Sequence, residues 1–389
     1  MNSSQKELVV ILNIGGLNFK SEHRIRNQVR ALYSRYQIAG YGQSGLDQLR
    51  YFKVFKTPSP MIYRLVKLFG VLFPQARLFY EQRFLIKVIK ELKEDNPKFL
   101  IAHNIFNGIL SEKTGLPYVF DSNEYLPRQF DGNLKWRLTE LRYRKIVLKL
   151  IFDKAFLITV EGENVANAYV NEFSIPREKI LVVANMPIYQ KNFIAVPRTS
   201  TKIRLIHHGF LVPERGLELL IEIAKQLGSN YELTLMGPGP GRYISKLKGI
   251  AACIGNITIL DPVPNEQIVE TLHEYDLGLV IFGSQHFHHK FMTVPNKFWE
   301  CLQARIPVVV SPDSAMASYV REHFCGAVPS VHTIESYVHT ISNLTSIEIN
   351  QMKSNLEDLA FSHSVDSWVD QYADIISLHC NRLKNLTKR

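Results

Sequence analysis

Short apolar runs recur along the chain, each closed by polar residues or glycine and followed by a segment with apolar residues three and four apart. The first run, Leu8 to Asn13, ends in Ile14-Gly15-Gly16. The helical period that follows, from about 22 to 36, places Ile25, Val29 and Leu32 on one face. Strand, glycine turn and helix predict the opening half of a βαβ unit. A second strand is predicted at Gln37 to Tyr41. Residues 42–75 are hard to parse and read as loops carrying a membrane-facing or acceptor-facing segment, and 78–92 read as one strongly amphipathic helix. Three more β-like runs, Phe99 to Ala102, Tyr118 to Phe120 and Phe156 to Val160, close on His103-Asn104, Asp121-Ser122-Asn123-Glu124 and Glu161-Gly162. In parallel sheets the carboxyl ends of strands carry the site. A last run, Ile180 to Val183, stops before Asn185-Met186-Pro187.

The alternation restarts at Ile203. A strand ending in His207-His208-Gly209 precedes a helix with Leu217, Leu220, Ile221, Ala224 and Leu227 on one face. Further runs start at Tyr231 (closing on Gly237-Pro238-Gly239-Pro240), Ile257, Leu277 and Val308, and the tail from about 364 to 385 reads as a long amphipathic helix. The pattern predicts an α/β protein of two tandem Rossmann-like, doubly wound domains. They are 1–187 and 203–363, joined by a linker at 188–202, with a terminal helix at 364–389 crossing back to the first domain. The stretch 293–310 holds a complete unit: a loop, a short helix opened by Pro295, a turn and the β-branched Val308-Val309-Val310.

Composition changes this picture little. Of 389 residues 46% are hydrophobic and 21% charged, as in ordinary globular proteins. The four cysteines are scattered without metal-ligand spacing, which suits a reducing compartment. No signal peptide is read at the start, and no apolar run approaches the roughly 20 residues that span a bilayer. The expected location is the cytoplasm. Charge matters more. Residues 1–185 hold 28 Lys and Arg against 17 Asp and Glu, and residues 186–389 hold 18 against 19, so the whole excess of +10 lies in the first half. Basic residues there are interleaved with apolar and aromatic ones, which suits the headgroups of an anionic membrane. No nucleic-acid module accompanies them.

Lys297 and Glu300 stand three apart at a predicted helix start, where free N–H groups attract anions and a carboxylate can accept hydrogen bonds from paired sugar hydroxyls. His286, His288 and His289 lack an acidic or cysteine partner at ligand spacing, so no metal site is assigned to them and they read as a polar donor-side loop.

With these residues in place, the sequence resembles the GT-B glycosyltransferases, and within them the large retaining family 4 that builds bacterial polysaccharides and glycolipids. Val294-Pro295-Asn296-Lys297-Phe298-Trp299-Glu300, followed by Arg305-Ile306-Pro307-Val308-Val309, is similar to the family's PNK-x-x-E donor motif and the strand after it. The segments 208–216, 235–240 and 276–279 are similar to three further donor-domain motifs, and 102–104 and 120–124 to first-domain ones.

The resemblance implies two domains with a cleft between them, closing on a nucleotide-sugar donor of UDP or GDP type used as substrate, with no cofactor and no metal. It implies that Glu300 holds the ribose hydroxyls, and that Arg215, in place of the family's lysine, contacts the diphosphate. Main-chain N–H groups around Val294, Pro295, Asn296 and Lys297 would serve the diphosphate or sugar. Gly16 and Gly209 would let backbone approach the donor, Gly237 and Val263 would hold the base, and His103 would lie near the donor sugar. Glu124, Asp121 and His23 fall on the acceptor side. His103, Arg215 and Glu300 form the expected catalytic set. Two positions depart from the pattern. Met292 stands where an acidic residue often touches the sugar, and Phe210 replaces an arginine. The implied activity is transfer of a hexosyl group, with retention, to a lipid-linked (polyprenyl) or polysaccharide hydroxyl at the inner face of a bacterial plasma membrane. A GT-B protein that binds nucleotide sugar or glycan without turnover, as an assembly partner, is one alternative; a sugar-nucleotide epimerase of GT-B fold is another.

Overall fold

The computed structural model describes residues 6–16, 19, 22–43, 45–55, 60–130, 133–197, 201–283 and 292–386. The chain forms two compact units, Met1–Ala184 with Trp368–Arg389, and Asn185–Ser367.

In the first unit seven strands, β1 (Leu8–Leu12), β2 (Gln37–Gly42), β3 (Tyr51–Val54), β4 (Phe99–His103), β5 (Tyr118–Ser122), β6 (Leu157–Val160) and β7 (Ile180–Val182), lie in the order 3-2-1-4-5-6-7. All pairings are parallel. The helices are α1 (His23–Tyr33), α2 (Pro60–Leu72), α3 (Pro74–Phe84), α4 (Ile86–Asp95), α5 (Asn104–Thr114), α6 (Leu134–Lys154) and α7 (Glu163–Phe173). Central strands such as Phe99-Leu100-Ile101-Ala102 are buried on both faces, as covered parallel strands must be. The strand order reverses between β1 and β4, which opens a crevice at their carboxyl ends.

Two expectations need correction here. Residues 42–75 are not mainly loop but contain β3 and α2. β3 is an edge strand with no buried residue, so its alternation is weak. The predicted single helix at 78–92 is two helices, α3 and α4. Pro74 starts α3 in its first turn, and Leu85 ends α3 and caps α4. α2 itself is turned inside out. Met61, Leu65, Leu68, Phe69 and Leu72, spaced as one helical face, are 58–72% exposed. The opposite side carries Tyr63, Lys67 and Gly70, and a Cβ on Gly70 would stand 2.7 Å from Arg77 Cδ, so this glycine lets α2 and α3 approach closely.

The second unit contains β8 (Ile203–His208), β9 (Tyr231–Met236), β10 (Ile257–Leu260), β11 (Leu277–Val280), β12 (Val308–Val310) and β13 (Gly326–Ala327), in the order 10-9-8-11-12-13 and again parallel. Its helices are α8 (Leu217–Leu227), α9 (Gly241–Ile254), α10 (Ile268–Leu272), α11 (Asn296–Gln303), α12 (Ala315–His323), α13 (Ile334–Ser342) and α14 (Ser346–Ser362). Its core gathers Leu205, Leu220, Leu233, Leu279, Val309 and Ile341. The order reverses between β8 and β11. Residues 186–196 form no helix or strand yet are fastened within this unit. The buried Arg305 donates from Nη2 to Gln190 O at 3.0 Å and pairs with Glu357 at 3.1 Å, while Val365 N donates to Pro187 O at 2.9 Å.

The last helix, α15 (Val369–Leu386), belongs to the first unit. Its Tyr372, Ala373, Ile376 and Cys380 share a core with Ile25, Val29 and Leu32 of α1. Among the described residues no helix is long and apolar enough to cross a membrane.

Candidate functional site

Each sheet places polar groups at its switch point. In the second unit β8 runs straight into His207-His208-Gly209. Gly209, at φ +112°, lies against Gly237, at φ +150°, and a Cβ on Gly237 would stand 1.9 Å from Gly209 O. Only glycine can occupy so close a crossing of two backbones. The loops after β8, β9 and β10 thereby bring Gly209, Gly237 and the half-buried Val263 to one edge of the sheet. Arg215 ends a single 3-10 turn, Pro213–Arg215, and is exposed before Gly216 and α8.

α11 adds the next part. Pro295, in extended conformation, is the residue before the helix, and Asn296 is its first residue. Phe298 N donates to Pro295 O at 2.9 Å. Val294 precedes this turn. The half-buried Lys297 reaches back to the strand end. Its Nζ lies 3.1 Å from His207 Nε2, and a Cβ on Gly209 would stand 3.4 Å from that nitrogen. His207 Nδ1 faces Leu279 O at 2.8 Å, so this nitrogen carries the proton and Nε2 accepts from the lysine. Burial and the neighbouring Lys297 hold His207 well below its ordinary value, which keeps the ring neutral. Desolvation and the nearby Arg215 bring Lys297 down from 10.5 to about 7. One helical turn on, Glu300 Oε2 lies 2.7 Å from His208 Nε2. The structure therefore joins Gly209, Arg215, Lys297 and Glu300 in one place. It adds His207 and His208, which sequence reading treated only as a strand end. Met292 is half-buried just ahead of this turn, and Phe210 is 64% exposed.

In the first unit the crevice between β1 and β4 carries His103, buried at the end of β4. Its Nδ1 lies 3.1 Å from Asp121 Oδ2 and its Nε2 lies 2.8 Å from Gln28 Oε1. Asp121 is fully buried at the end of β5 and is saturated. Arg24 Nε donates to both of its oxygens, at 2.8 and 2.7 Å, Gln28 Nε2 donates at 3.1 Å, and Thr159 Oγ1 donates as well. Burial alone would raise the Asp121 carboxyl, but the Arg24 guanidinium and His103 hold it well below the usual carboxylate range. Its oxygens are taken up by protein groups, so Asp121 acts on the site through His103. Gly16 follows the β1 turn, where a Cβ would stand 1.9 Å from Asn13 Oδ1. Asn107 ties that turn to α5, accepting from Ile14 N at 3.2 Å and donating to His103 O at 2.7 Å.

A cavity of about 640 Å³ opens here, with Gly16, His103, Glu124, Arg77 and Tyr143 among its lining residues. Glu124 accepts from Gln129 at 2.8 Å. His23 starts α1, half-buried, with Nδ1 2.9 Å from Arg26 Nη2. Sequence reading missed Arg24 and Gln28, which support His103 from α1. It also missed Glu22, on the cavity wall, and Glu161, buried beside the site; burial raises the carboxyls of both. His286, His288 and His289 lie outside the described residues. Among those described, no three His, Cys, Asp or Glu side chains gather as a metal site would need.

Two parallel sheets of this order, each with its polar groups at the switch point, define a GT-B fold. The family described as "Glucosyltransferase 3-like, C-terminal domain" matches residues 223–367, all in the second unit. A search of curated proteins finds no match. Among solved structures, Anabaena HepE in complex with UDP and glucose superposes with a TM-score of 0.68 at 14% identity, over 95% of this chain and 99% of that one. WaaG, a glycosyltransferase involved in lipopolysaccharide biosynthesis, gives 0.65 at 14% identity, over 95% and 99%. Sucrose-phosphate synthase from Thermosynechococcus elongatus gives 0.68 at 9% identity, over 98% of each chain. At these identities the likeness is one of fold.

Proposed function

We propose that the chain is a nucleotide-sugar-dependent glycosyltransferase. The observation that carries this reading is the meeting of Gly209, Lys297, Arg215 and Glu300 at the switch point of the second sheet. Close backbone, two cations and a helix start suit a diphosphate, and a carboxylate steadied by His208 suits a ribose diol. The family match over 223–367, and neighbours solved with UDP and UDP-glucose, support a nucleotide-sugar donor of UDP type.

In the proposed reaction the bond from the sugar's anomeric carbon to the diphosphate oxygen breaks, and its electron pair leaves with the diphosphate. Arg215, Lys297 and the first-turn N–H groups of α11 stabilise that charge. The acceptor hydroxyl forms the new bond on the same face, giving retention, and its proton passes to the departing phosphate oxygen. The acceptor is a lipid-linked or polysaccharide hydroxyl taken up by the first unit, in the cavity that His103 lines. The excess positive charge of residues 1–185 and the outward apolar face of α2 support work at the inner surface of a bacterial membrane, in surface polysaccharide synthesis.

A thermal-shift screen of UDP, GDP and their sugars identifies the donor. Sustained release of nucleoside diphosphate, lost in Glu300→Ala and Arg215→Ala, is the expected result. Stable binding with no release at any acceptor concentration would instead favour a binding-only protein, the reading to which the uncharged Met292 and Phe210 lend their weight.

A further inference from the structure

The far wall of the first unit's cavity carries a cluster that the transfer reaction does not use. Arg77 of α3 is 3% exposed. Its Nε donates to Glu81 Oε1 and its Nη2 to Glu140 Oε2, each at 3.1 Å. Its guanidinium carbon lies 3.7 Å from the Tyr143 ring centroid, and its Nη1 is buried with no hydrogen-bond partner. Lys67 of α2 reaches Glu140 Oε1 at 3.2 Å, and Arg144 of α6 stands 3.8 Å from Glu140 Oε2. The two tyrosines that frame the cluster point their hydroxyls at Glu81. Three cations thus meet two carboxylates, at a cavity wall, with one guanidinium donor unused. A buried donor without an acceptor is costly, and more so when it is charged. A fold retains such a group where something else completes it.

We infer that the Arg77–Lys67–Arg144 cluster is an oxyanion subsite that takes the phosphate group of the acceptor. An entering monoanion would balance the third cation and give Arg77 Nη1 its acceptor, with the guanidinium fork already held in place by Glu81 and Glu140. The inside-out α2 says where such a phosphate comes from. Lys67 faces the cavity, while Leu65, Leu68 and Leu72 of the same helix face outward, so a phosphate carried on a hydrocarbon chain meets both sides of one helix. The inference rests on the glycosyltransferase reading for the word acceptor, and on the cluster alone for the anion.

Calorimetric titration of the full chain with farnesyl phosphate, farnesol, inorganic phosphate and UDP tests it. Farnesyl phosphate binding weakened at least tenfold in Lys67→Gln, with UDP affinity unchanged within twofold, is the expected result. Arg77→Lys, which keeps a charge against Glu81 and Glu140 but loses the fork, should weaken it at least fivefold. Inorganic phosphate that binds as tightly as farnesyl phosphate, and as sensitively to Lys67, would keep the subsite and make free or sugar-borne phosphate its source. Farnesol binding as well as farnesyl phosphate, or folded Lys67→Gln and Arg77→Lys proteins that bind it like the parent, overturns the inference. Absence of UDP binding alongside intact, Lys67-dependent phosphate binding would sink the glycosyltransferase reading and leave the subsite standing.

Discussion

At the carboxyl ends of β1 and β4 the polar groups are paired with one another, whereas at the ends of β8 and β11 they are paired in part and backed by glycine. The first switch point is a closed network. Asp121 takes donors from Arg24, Gln28 and Thr159 and holds His103 at the cavity wall, so the placing of one ring is the product of four buried side chains. The second is open. Gly209 and Gly237 bring main chain forward, and Lys297 rests against a neutral partner, His207. Identical topology thus yields two kinds of site: one that fixes a side chain, and one that leaves cations and N–H groups for a ligand to satisfy.

The largest test of this contrast is Asp121→Ala. It strands the buried guanidinium of Arg24, and breaking a buried pair in this way costs about 3–5 kcal/mol. Urea unfolding followed by circular dichroism should show a loss of that size, and a loss under 1 kcal/mol would mean that the network can relax. The next is Gly237→Ala. With φ at +150° and Gly209 O 1.9 Å from the new Cβ, the crossing must open. Backbone strain of this kind costs about 1–3 kcal/mol, and UDP affinity should fall with stability. Unchanged stability would show that the two loops need not touch.

Those tests also mark what the sequence makes legible. Both sheets can be read from it, because a strand buried on both faces must be continuously apolar, as Phe99 to Ala102 and Val308 to Val310 are. α2 cannot, because a helical period says that a helix has two faces and not which one is inside; here Leu65 and Leu68 are out while Tyr63 and Lys67 are in. The division at Leu85 is hidden because apolar residues continue through it. His103 is recognisable as a polar group at an apolar strand's end, and Glu300 as a carboxylate three residues after Lys297 near a helix start. Their partners are not. Gln28 lies 75 positions from His103, and His208 lies 92 from Glu300, so no local pattern links them.

Glu300→Ala gives a smaller effect, and one that falls on binding. It removes a charged acceptor from the proposed ribose contact, worth about 1.5–3 kcal/mol, so the UDP dissociation constant should rise roughly tenfold to a hundredfold. His208→Ala should produce a weaker version of the same loss if its role is to hold that carboxylate. Equal UDP affinity in parent and Glu300→Ala would remove the carboxylate from the donor site.

The smallest effect is a slope with pH, and it separates binding from folding. Lys297 sits at about 7 because of burial and Arg215. A diphosphate beside it would favour the charged amine, so binding takes up a proton above that pH. UDP affinity should therefore be flat just below pH 7 and weaken toward pH 9, by up to tenfold per unit. In this window the terminal phosphate, with a second pKa near 6, is already ionised. His207 is held well below 6.5 and Cys301 is pushed up by burial, so neither contributes. Stability runs the other way. Between about 7 and the ordinary 10.5 the unfolded chain binds more protons at Lys297, so the lysine's part in stability rises with pH. A titration in which UDP affinity falls while the melting temperature does not assigns the slope to the amine. Lys297→Met should flatten it. A Met variant with the parent's full slope would move the titration to another group and leave Lys297 as packing for His207.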